Sequence, residues 1–408
     1  MNTAGPLSHI RVLDLSRIMA GPWASQILAD LGADVIKVER PGAGDDTRAW
    51  GPPFLKDEDG KATANSGYFL CVNRGKRSIT LNLDTPEGQD IVRALAARSD
   101  VLLENYKVGT LQKFNLGPER LREINPRLIY ASVTGFGQTG PRSHQAAYDF
   151  MIQALGGLMS VTGERDDRPG GGPQKVGVPI VDLMTGMYTT VGILAALARR
   201  EQTGRGDYID IAMLDVQAAF LANQSMNYLL SGKPPKRAGN SHPNIQPQDV
   251  FACRDGHIAL AVGNDGQFVK FCEAIAQPQL AIDVRFAKNA DRVRNVAELT
   301  DIVSTALRAD TMQAWDAKLS VAGVPCAPIN TVPGVFNDPQ IIHRRMLQQV
   351  PHPLSGTVPQ VISPLRFTEA PLRFDRAPPL LGQHTADVLN ELGIAAGEQS
   401  DLQRRGVI

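Results

Sequence analysis

The stretch RVLDLSRIMAGPWASQILADLGADVIKVER, Arg11 to Arg40, decides the fold. Arg11 to Leu15 reads as a strand and SRIMAGP as a loop. Pro22 suits a first helical turn, where its missing N–H is no loss, and Ala33 to Glu39 is extended again. A strand, a helix and a second strand in this order imply a right-handed crossover and a parallel sheet. The N-terminal part is therefore expected to be an open α/β layer with its ligand loop after the first strand.

The rhythm continues outward. SITLNL is a strand, TPEGQDIVRALAARSD is a helix with Thr85 as cap and Pro86 in its first turn, and VLLEN and LREINPRLIYASV bring two more strands. A long apolar helix is expected from Leu183 to Arg200. REQTGRGDYIDIAMLD then gives a loop and a strand or helix start. After about residue 225 the pattern changes to the polar, Pro-rich GKPPKRAGNSHPNIQPQ, and VFACRDGHIALAVG reads as a hairpin turning at Asp255-Gly256. The expected organisation is a large α/β domain over 1–215, a smaller α/β domain over 225–325, and a C-terminal segment, 335–408, returning across another domain or subunit.

Composition narrows the function. Among 408 residues, 43% are hydrophobic and 21% charged, which suits a soluble globular chain of two domains. The 42 basic residues balance 42 acidic ones, so no overall field favours nucleic acid or an anionic membrane, and an anion site must be local. No apolar run approaches the ~20 residues of a bilayer span, and MNTAGPLSHI lacks the apolar region of a signal peptide. Cys71, Cys253, Cys272 and Cys326 form no CxxC pair, and the seven histidines form no HxxxH or HExxH pattern. The expectation is a cytoplasmic protein without a metal and with its cysteines in the core.

Two local signals concern anions. GFGQTG, Gly135 to Gly140, matches GxGxxG, but Pro141 and RSHQAA follow where an apolar helix should begin, which argues against nicotinamide binding. Arg40 stands just past the second strand, where a cation either meets a ribose phosphate or is simply solvated. NRGKRS and ENYKVGTLQK, with Lys107 and Lys113, add cations near other strand ends. Together they could seat a phosphorylated cofactor. In VGVPIVDLMTG, Val176 to Gly186, Asp182 stands among apolar neighbours. It either caps the following helix or serves as a poorly hydrated nucleophile.

VLDLSRIMAGP, GADVIKVERPGAGDDTR, NRGKRSITLNL, LLENYKVG, ASVTGFGQTGP, VGVPIVDLMTG, TGRGDYIDIAMLD and APPLLGQHT, in this order, make the chain resemble the class III coenzyme A-transferases of the CaiB/BaiF type along nearly its whole length. The resemblance implies an interlocked homodimer, a Rossmann-like large domain built from both chain ends, and a small domain between them. It also implies that acyl-CoA and carboxylic acids are substrates, with no tightly bound cofactor. Asp182 takes the place of the family's catalytic aspartate, whose carboxylate attacks the thioester to give an aspartyl anhydride and then an aspartyl-CoA thioester. The start of the helix after Leu183 is expected to keep it ionised.

By the same resemblance, coenzyme A is expected along Met19, Ala20, Arg40, Leu81, Asn82, Leu83, Asn105, Tyr106, Lys107, Lys113, Ala147, Tyr148 and Asp149. Met19 stands where the formyl-CoA:oxalate enzymes carry glutamine, and their glycine-rich flap is missing. Tyr148 replaces the racemases' histidine, and a phenol with a pKa near ~10 is a poor base at neutral pH. PGAGDDTRAWGPPF and APPLLGQHT look most like the branch that exchanges succinyl-CoA with dicarboxylates such as glutarate and hydroxymethylglutarate. Arg48 is the candidate for a second substrate carboxylate, unless it pairs with Asp45 or Asp46 at the surface. His242 is a candidate for the acyl pocket, unless it is an ordinary loop histidine. The alternatives to transfer are an acyl-CoA racemase or epimerase and a CoA-binding protein without catalysis.

Overall fold

The computed structural model describes residues 5–372 and 374–408, so the first four residues of the N-terminal stretch lie outside the described residues. Six strands, β1 (Arg11–Asp14), β2 (Asp34–Glu39), β3 (Arg77–Thr80), β4 (Val101–Glu104), β5 (Ile129–Thr134) and β6 (Tyr208–Ala212), form one sheet. All neighbours are parallel, in the order β3-β2-β1-β4-β5-β6. The chain therefore starts in the middle, runs to one edge, and returns to build the other, as doubly wound sheets do. Val12 pairs with Val35 on one side and Val101 on the other, which sets the register at the centre.

Four helices position the site: α1 (Ala20–Asp30), α2 (Pro86–Ala97), α3 (Asp149–Leu155) and α4 (Ile180–Thr203). Strand side chains alternate between faces, so each strand contributes to two cores. Val12, Val35, Val101, Leu103, Ile129 and Ala131 join Ala24 and Leu28 of α1 and Ile193 and Leu197 of α4. Leu13, Ile36, Ile79, Leu102 and Tyr130 join Ile91 and Leu95 of α2 and, from the C-terminal segment, Val388, Leu389 and Leu402. The C-terminal segment thus completes one face of the sheet.

Some elements differ from expectation. Strand β3 ends at Thr80 rather than Leu83, because the N–H of Asn82 turns to the carbonyl of Val407. Helix α4 begins at Ile180, three residues before the predicted start. By length and composition α4 could also cross a bilayer, contrary to the sequence expectation, and 44% of its apolar window is buried. It packs on α1, β5 and β6. Cys253 and Cys272 are buried, whereas Cys71 is exposed.

The chain divides into two compact units. The first takes the chain up to Gly157, Val176–Ala222 and Gln340–Ile408, and the second takes Leu158–Lys175 and Asn223–Pro339. The excursion Leu158–Lys175 is marked by a polar, Gly- and Pro-rich run, TGERDDRPGGGPQK, over residues 162–175. In the second unit, β7 (Gln248–Ala252), β8 (His257–Ala261) and β9 (Cys326–Pro328) form an antiparallel sheet in the order β9-β8-β7. The first two make the hairpin read from the sequence, closed by the Cys253 N–H to Gly256 at 2.8 Å. Phe251, Phe268, Phe271, Leu299 and Trp315 form its core.

Candidate active site

The carboxyl ends of β1, β4 and β5 open onto a cleft of ≈ 150 Å³ in the first unit. Strand order reverses between β1 and β4, where a doubly wound sheet leaves a crevice for ligands. The walls are Arg17–Ala20 after β1, Asn105–Val108 after β4, Val133 and Thr134 at the end of β5 with Gly135 after it, Ser143–Tyr148, Met213, and Asp182 from α4. Met19, Ala20, Asn105, Tyr106, Lys107, Ala147 and Tyr148 therefore share one space with Asp182. Gly135 permits this, because a Cβ there would stand 2.3 Å from that of Ala147. A larger hollow of ≈ 700 Å³ lies elsewhere in the unit, lined by Trp23, Ile27, Phe54, Met187 and Val361. Its charged lining residues, Asp30 and Arg74, pair with each other at 2.7 Å.

Asp182 lies in the first turn of α4, but it is not the cap of that helix. Asp149, at the start of α3, supplies the cap: its Oδ1 accepts the N–H groups of Val181 at 2.7 Å and Asp182 at 3.2 Å. Its Oδ2 accepts from Gln153 Nε2 at 2.6 Å. The Asp149 side chain is thus committed to the helix, although its neighbours Ala147 and Tyr148 line the cleft. The Asp182 carboxylate accepts no hydrogen bond from the described residues, and burial together with the like charge of Asp149 pushes its pKa up to about 7. The helix start does not hold it fully ionised, contrary to the sequence expectation. Desolvation outweighs the dipole here.

Helices α1 and α4 meet closely at this point. A Cβ on Gly186 would lie 2.8 Å from the Ala20 carbonyl oxygen and 2.8 Å from Trp23 Cδ1. Glycine therefore sets the separation between the element bearing Met19 and Ala20 and the one bearing Asp182. Tyr68, which packs edge-on against Trp50 with ring centroids 5.3 Å apart, has its phenol pKa raised by burial and by the Asp182 charge.

Cations stand at the cleft and its rim. Arg17 donates to Asp46 at 2.9 Å and lies 5.9 Å from the Tyr106 ring centroid. The other oxygen of Asp46 accepts from Arg40 at 3.3 Å, which ties that exposed arginine to the loop although it does not line the cleft. Lys107 is in the cleft wall, whereas Lys113 is exposed at the end of the short helix Thr110–Lys113 outside it.

The remaining predicted residues stand elsewhere. Leu81 and Leu83 are buried in the α2-side core, and Asn82 bonds to the C-terminal segment. Arg48 is neither free nor paired with Asp45 or Asp46. Its guanidinium grips both carboxylate oxygens of Glu39 at 2.7 Å, donates to Asn65 and Pro379, and lies over the Phe69 ring at 3.7 Å. Four of its five N–H donors are taken by the protein, so Arg48 does not offer a fork to a substrate. His242, in the second unit, accepts the N–H groups of Asn244 and Ile245 at Nδ1 and shapes its own loop. Among the described residues, no cluster of three His, Cys, Asp or Glu side chains is arranged to hold a metal ion.

The cleft also contains residues that were not predicted: Arg17, Ile18, Val108, Thr134, Gly135, His144 and Met213. Arg17 and Ile18 directly precede Met19, so the loop signal reached them. Met213 comes to the cleft from beyond β6, and no local pattern announces it.

A family model described as CoA-transferase family III matches residues 7–385. The succinate–glutarate CoA-transferase of Agrobacterium fabrum is 47% identical over 395 residues, which is 96% of either chain. The human succinyl-CoA:glutarate CoA-transferase is 42% identical, covering 96% of this chain and 87% of its own length. The crystal structure of a CaiB/BaiF family protein from Brucella suis is similar with a TM-score of 0.84 and 48% identity, over 95% of this chain and all of that one. A doubly wound sheet with an aspartate at its switch-point cleft, matched along almost its whole length by such relatives, belongs to CoA-transferase family III.

Proposed function

We propose that the protein is an acyl-CoA:carboxylate CoA-transferase with Asp182 as nucleophile, and that succinyl-CoA and a dicarboxylate such as glutarate are its exchange pair. The observation that carries this reading is the Asp182 carboxylate itself, with no hydrogen-bond donor among the described residues and facing the cleft beside Met19 and Ala20. A carboxylate so placed has lost water without gaining a partner, which raises its reactivity toward an acyl carbon.

In the first step an Asp182 oxygen adds to the thioester carbonyl and the C–S bond breaks, giving a mixed anhydride and CoA thiolate. The thiolate adds to the aspartyl carbonyl and expels the first carboxylate, leaving an Asp182–CoA thioester. The acceptor carboxylate adds to that thioester and displaces thiolate, which then takes the acceptor's acyl group and frees Asp182. Pro22 has no N–H and that of Trp23 is held by the Met19 carbonyl, so the amides of Ala20 and Gly21 are the ones in the first turn of α1 that a developing oxyanion could use. One such donor contributes about 3 kcal/mol in other acyl-transfer enzymes. Arg17, Arg40 and Lys107 supply the local positive charge that coenzyme A phosphates require, in a chain with no net charge to supply it.

We further infer a Rossmann-like coenzyme-binding domain, from the strand order, and a homodimer in the cytoplasm. Met187, Tyr188 and Val191 expose an apolar stripe on α4, and the ≈ 700 Å³ hollow beside Met187 is walled mostly by apolar side chains, features that suit a partner surface. All four cysteines are free, in keeping with a reducing compartment.

One observation favours a second reading. His144 lines the same cleft as Asp182, and a histidine and an aspartate on two sides of an acyl group could move its α-proton. A racemase would wash deuterium from D₂O into acyl-CoA without an acceptor acid, whereas a transferase would not.

Incubation with succinyl-CoA and hydroxylamine tests the main reading. An Asp182 adduct is expected in the native protein and none in Asp182→Ala, which should lose exchange while keeping coenzyme A affinity within about threefold. A substantial exchange rate in Asp182→Ala would refute the nucleophile.

A further inference from the structure

The loop between β1 and α1 contains a backbone outlier. Ile18 has φ +73°, the left-handed region that a β-branched residue rarely enters. Such a conformation persists only where the surroundings enforce it. Here they are polar side chains that converge from three sides. Asn105 accepts the Arg17 N–H at 2.9 Å and donates to the Arg17 carbonyl at 2.7 Å. The Ile18 N–H points between the two oxygens of Asp45, 3.2 Å from each. Lys37 donates to the Ser16 carbonyl at 2.8 Å.

Asp45 and Lys37 are themselves a fully buried pair at 2.8 Å, with no side-chain exposure. Asp45 also accepts the N–H and hydroxyl of Thr47, and its own N–H donates to Glu39, which Arg48 holds. The carboxylate that meets Ile18 is therefore fixed from behind by β2. A buried ion pair of this kind is weak evidence for stability and better explained as a device for conformation. What it holds is the turn that delivers Ile18, Met19 and Ala20 to the cleft shared with Asp182.

We propose that Asp45, anchored by Lys37, is a positioning residue of the transfer site: it clamps the Ile18 peptide in its left-handed conformation, and so sets the place of Met19 and Ala20 opposite Asp182. This inference rests on the transferase reading. Without the clamp Ile18 relaxes to negative φ, the following peptide swings, and the cleft wall moves while the sheet beneath remains.

The test uses Asp45→Asn with and without Ile18→Gly in the full-length protein, because glycine occupies the left-handed region without help. Asp45→Asn should lower kcat of succinyl-CoA:dicarboxylate exchange by about 10- to 100-fold, with coenzyme A affinity within about threefold. Adding Ile18→Gly should restore kcat by about fivefold or more, whereas the same change in the native background should give no gain. A merely structural Asp45 would lower the folded fraction without a kcat-specific loss or a glycine rescue. If Asp45→Asn does not fold, Asp45→Glu keeps the charge beside Lys37 but displaces the oxygens, and the same kcat loss and rescue are expected. An undiminished kcat in folded Asp45→Asn or Asp45→Glu, or failure of Ile18→Gly to rescue, overturns the clamp. If the native protein itself shows no exchange, the transferase reading fails, and the clamp is judged by unfolding: Ile18→Gly must raise the Tm of the Asp45 variant more than that of the native protein, and equal shifts overturn it.

Discussion

Asp149 caps the helix that carries Asp182, holding the backbone N–H groups of Val181 and Asp182 on one carboxylate oxygen at 2.7 and 3.2 Å. The same charge opposes ionisation of the Asp182 side chain. One residue thus orders the Asp182 backbone while raising the basicity of its side chain.

Removing that charge while keeping an acceptor separates the two effects. In Asp149→Asn the amide oxygen can still cap α4, but the like charge beside Asp182 is gone. The acid limb of the pH–rate profile should move to lower pH, with stability within about 1 kcal/mol of native. Asp149→Ala should instead lose about 1–2 kcal/mol, measured by urea unfolding. An acid limb that stays in place in Asp149→Asn would show that burial alone sets the Asp182 pKa.

Asp182 gives a second pH signature, with stability and activity in opposition. An unfolded aspartate titrates near ~3.9, whereas folding raises this one to about 7. Between those values the folded state retains a proton that the unfolded state has lost, so stability falls as pH rises through this window and the penalty is complete above it. Exchange needs the ionised form and should rise through about pH 7. Asp182→Asn should therefore be inactive, yet more stable than the native protein by about 1–3 kcal/mol at pH 8, with the advantage vanishing near pH 4. Thermal unfolding at the two pH values decides it.

Gly186 has a negative φ, so its requirement is for space. Gly186→Ala places a methyl group against the Ala20 carbonyl and Trp23, both within 3 Å. Separating α1 from α4 should cost about 1–3 kcal/mol and reduce kcat of exchange more than coenzyme A affinity. Chemical denaturation and single-turnover kinetics measure the two effects.

Arg48 is expected to act on the fold. Arg48→Met leaves Glu39 buried without its bidentate partner and should destabilise the protein by about 3–5 kcal/mol. The pair replacement Arg48→Met with Glu39→Leu should recover part of that loss, and the KM for a dicarboxylate in the folded double variant should stay near native. A selective rise in that KM would restore Arg48 to the substrate site.

Local chemistry made much of this molecule legible. The apolar periods around Arg11 to Arg40, Pro22 in a first turn, Thr85 and Pro86 at the start of α2, and the Asp255-Gly256 hairpin depend on neighbours in sequence, and the structure contains each of them. The loop after β1 could be read for the same reason. Contacts between distant residues could not be read. Whether Asp182 caps its helix depended on Asp149, thirty-three positions away, whose carboxylate took that duty.

Residue type and order along the chain therefore determined the α/β rhythm, the family, and the aspartate with its loop. Tertiary structure decided which charges were free. It sealed Arg48 against Glu39, left the Asp182 carboxylate without a donor among the described residues, and brought Met213 and His144 to one cleft. Propensity and periodicity act over a few residues, whereas desolvation and ion pairing depend on what the folded chain brings within a few ångströms.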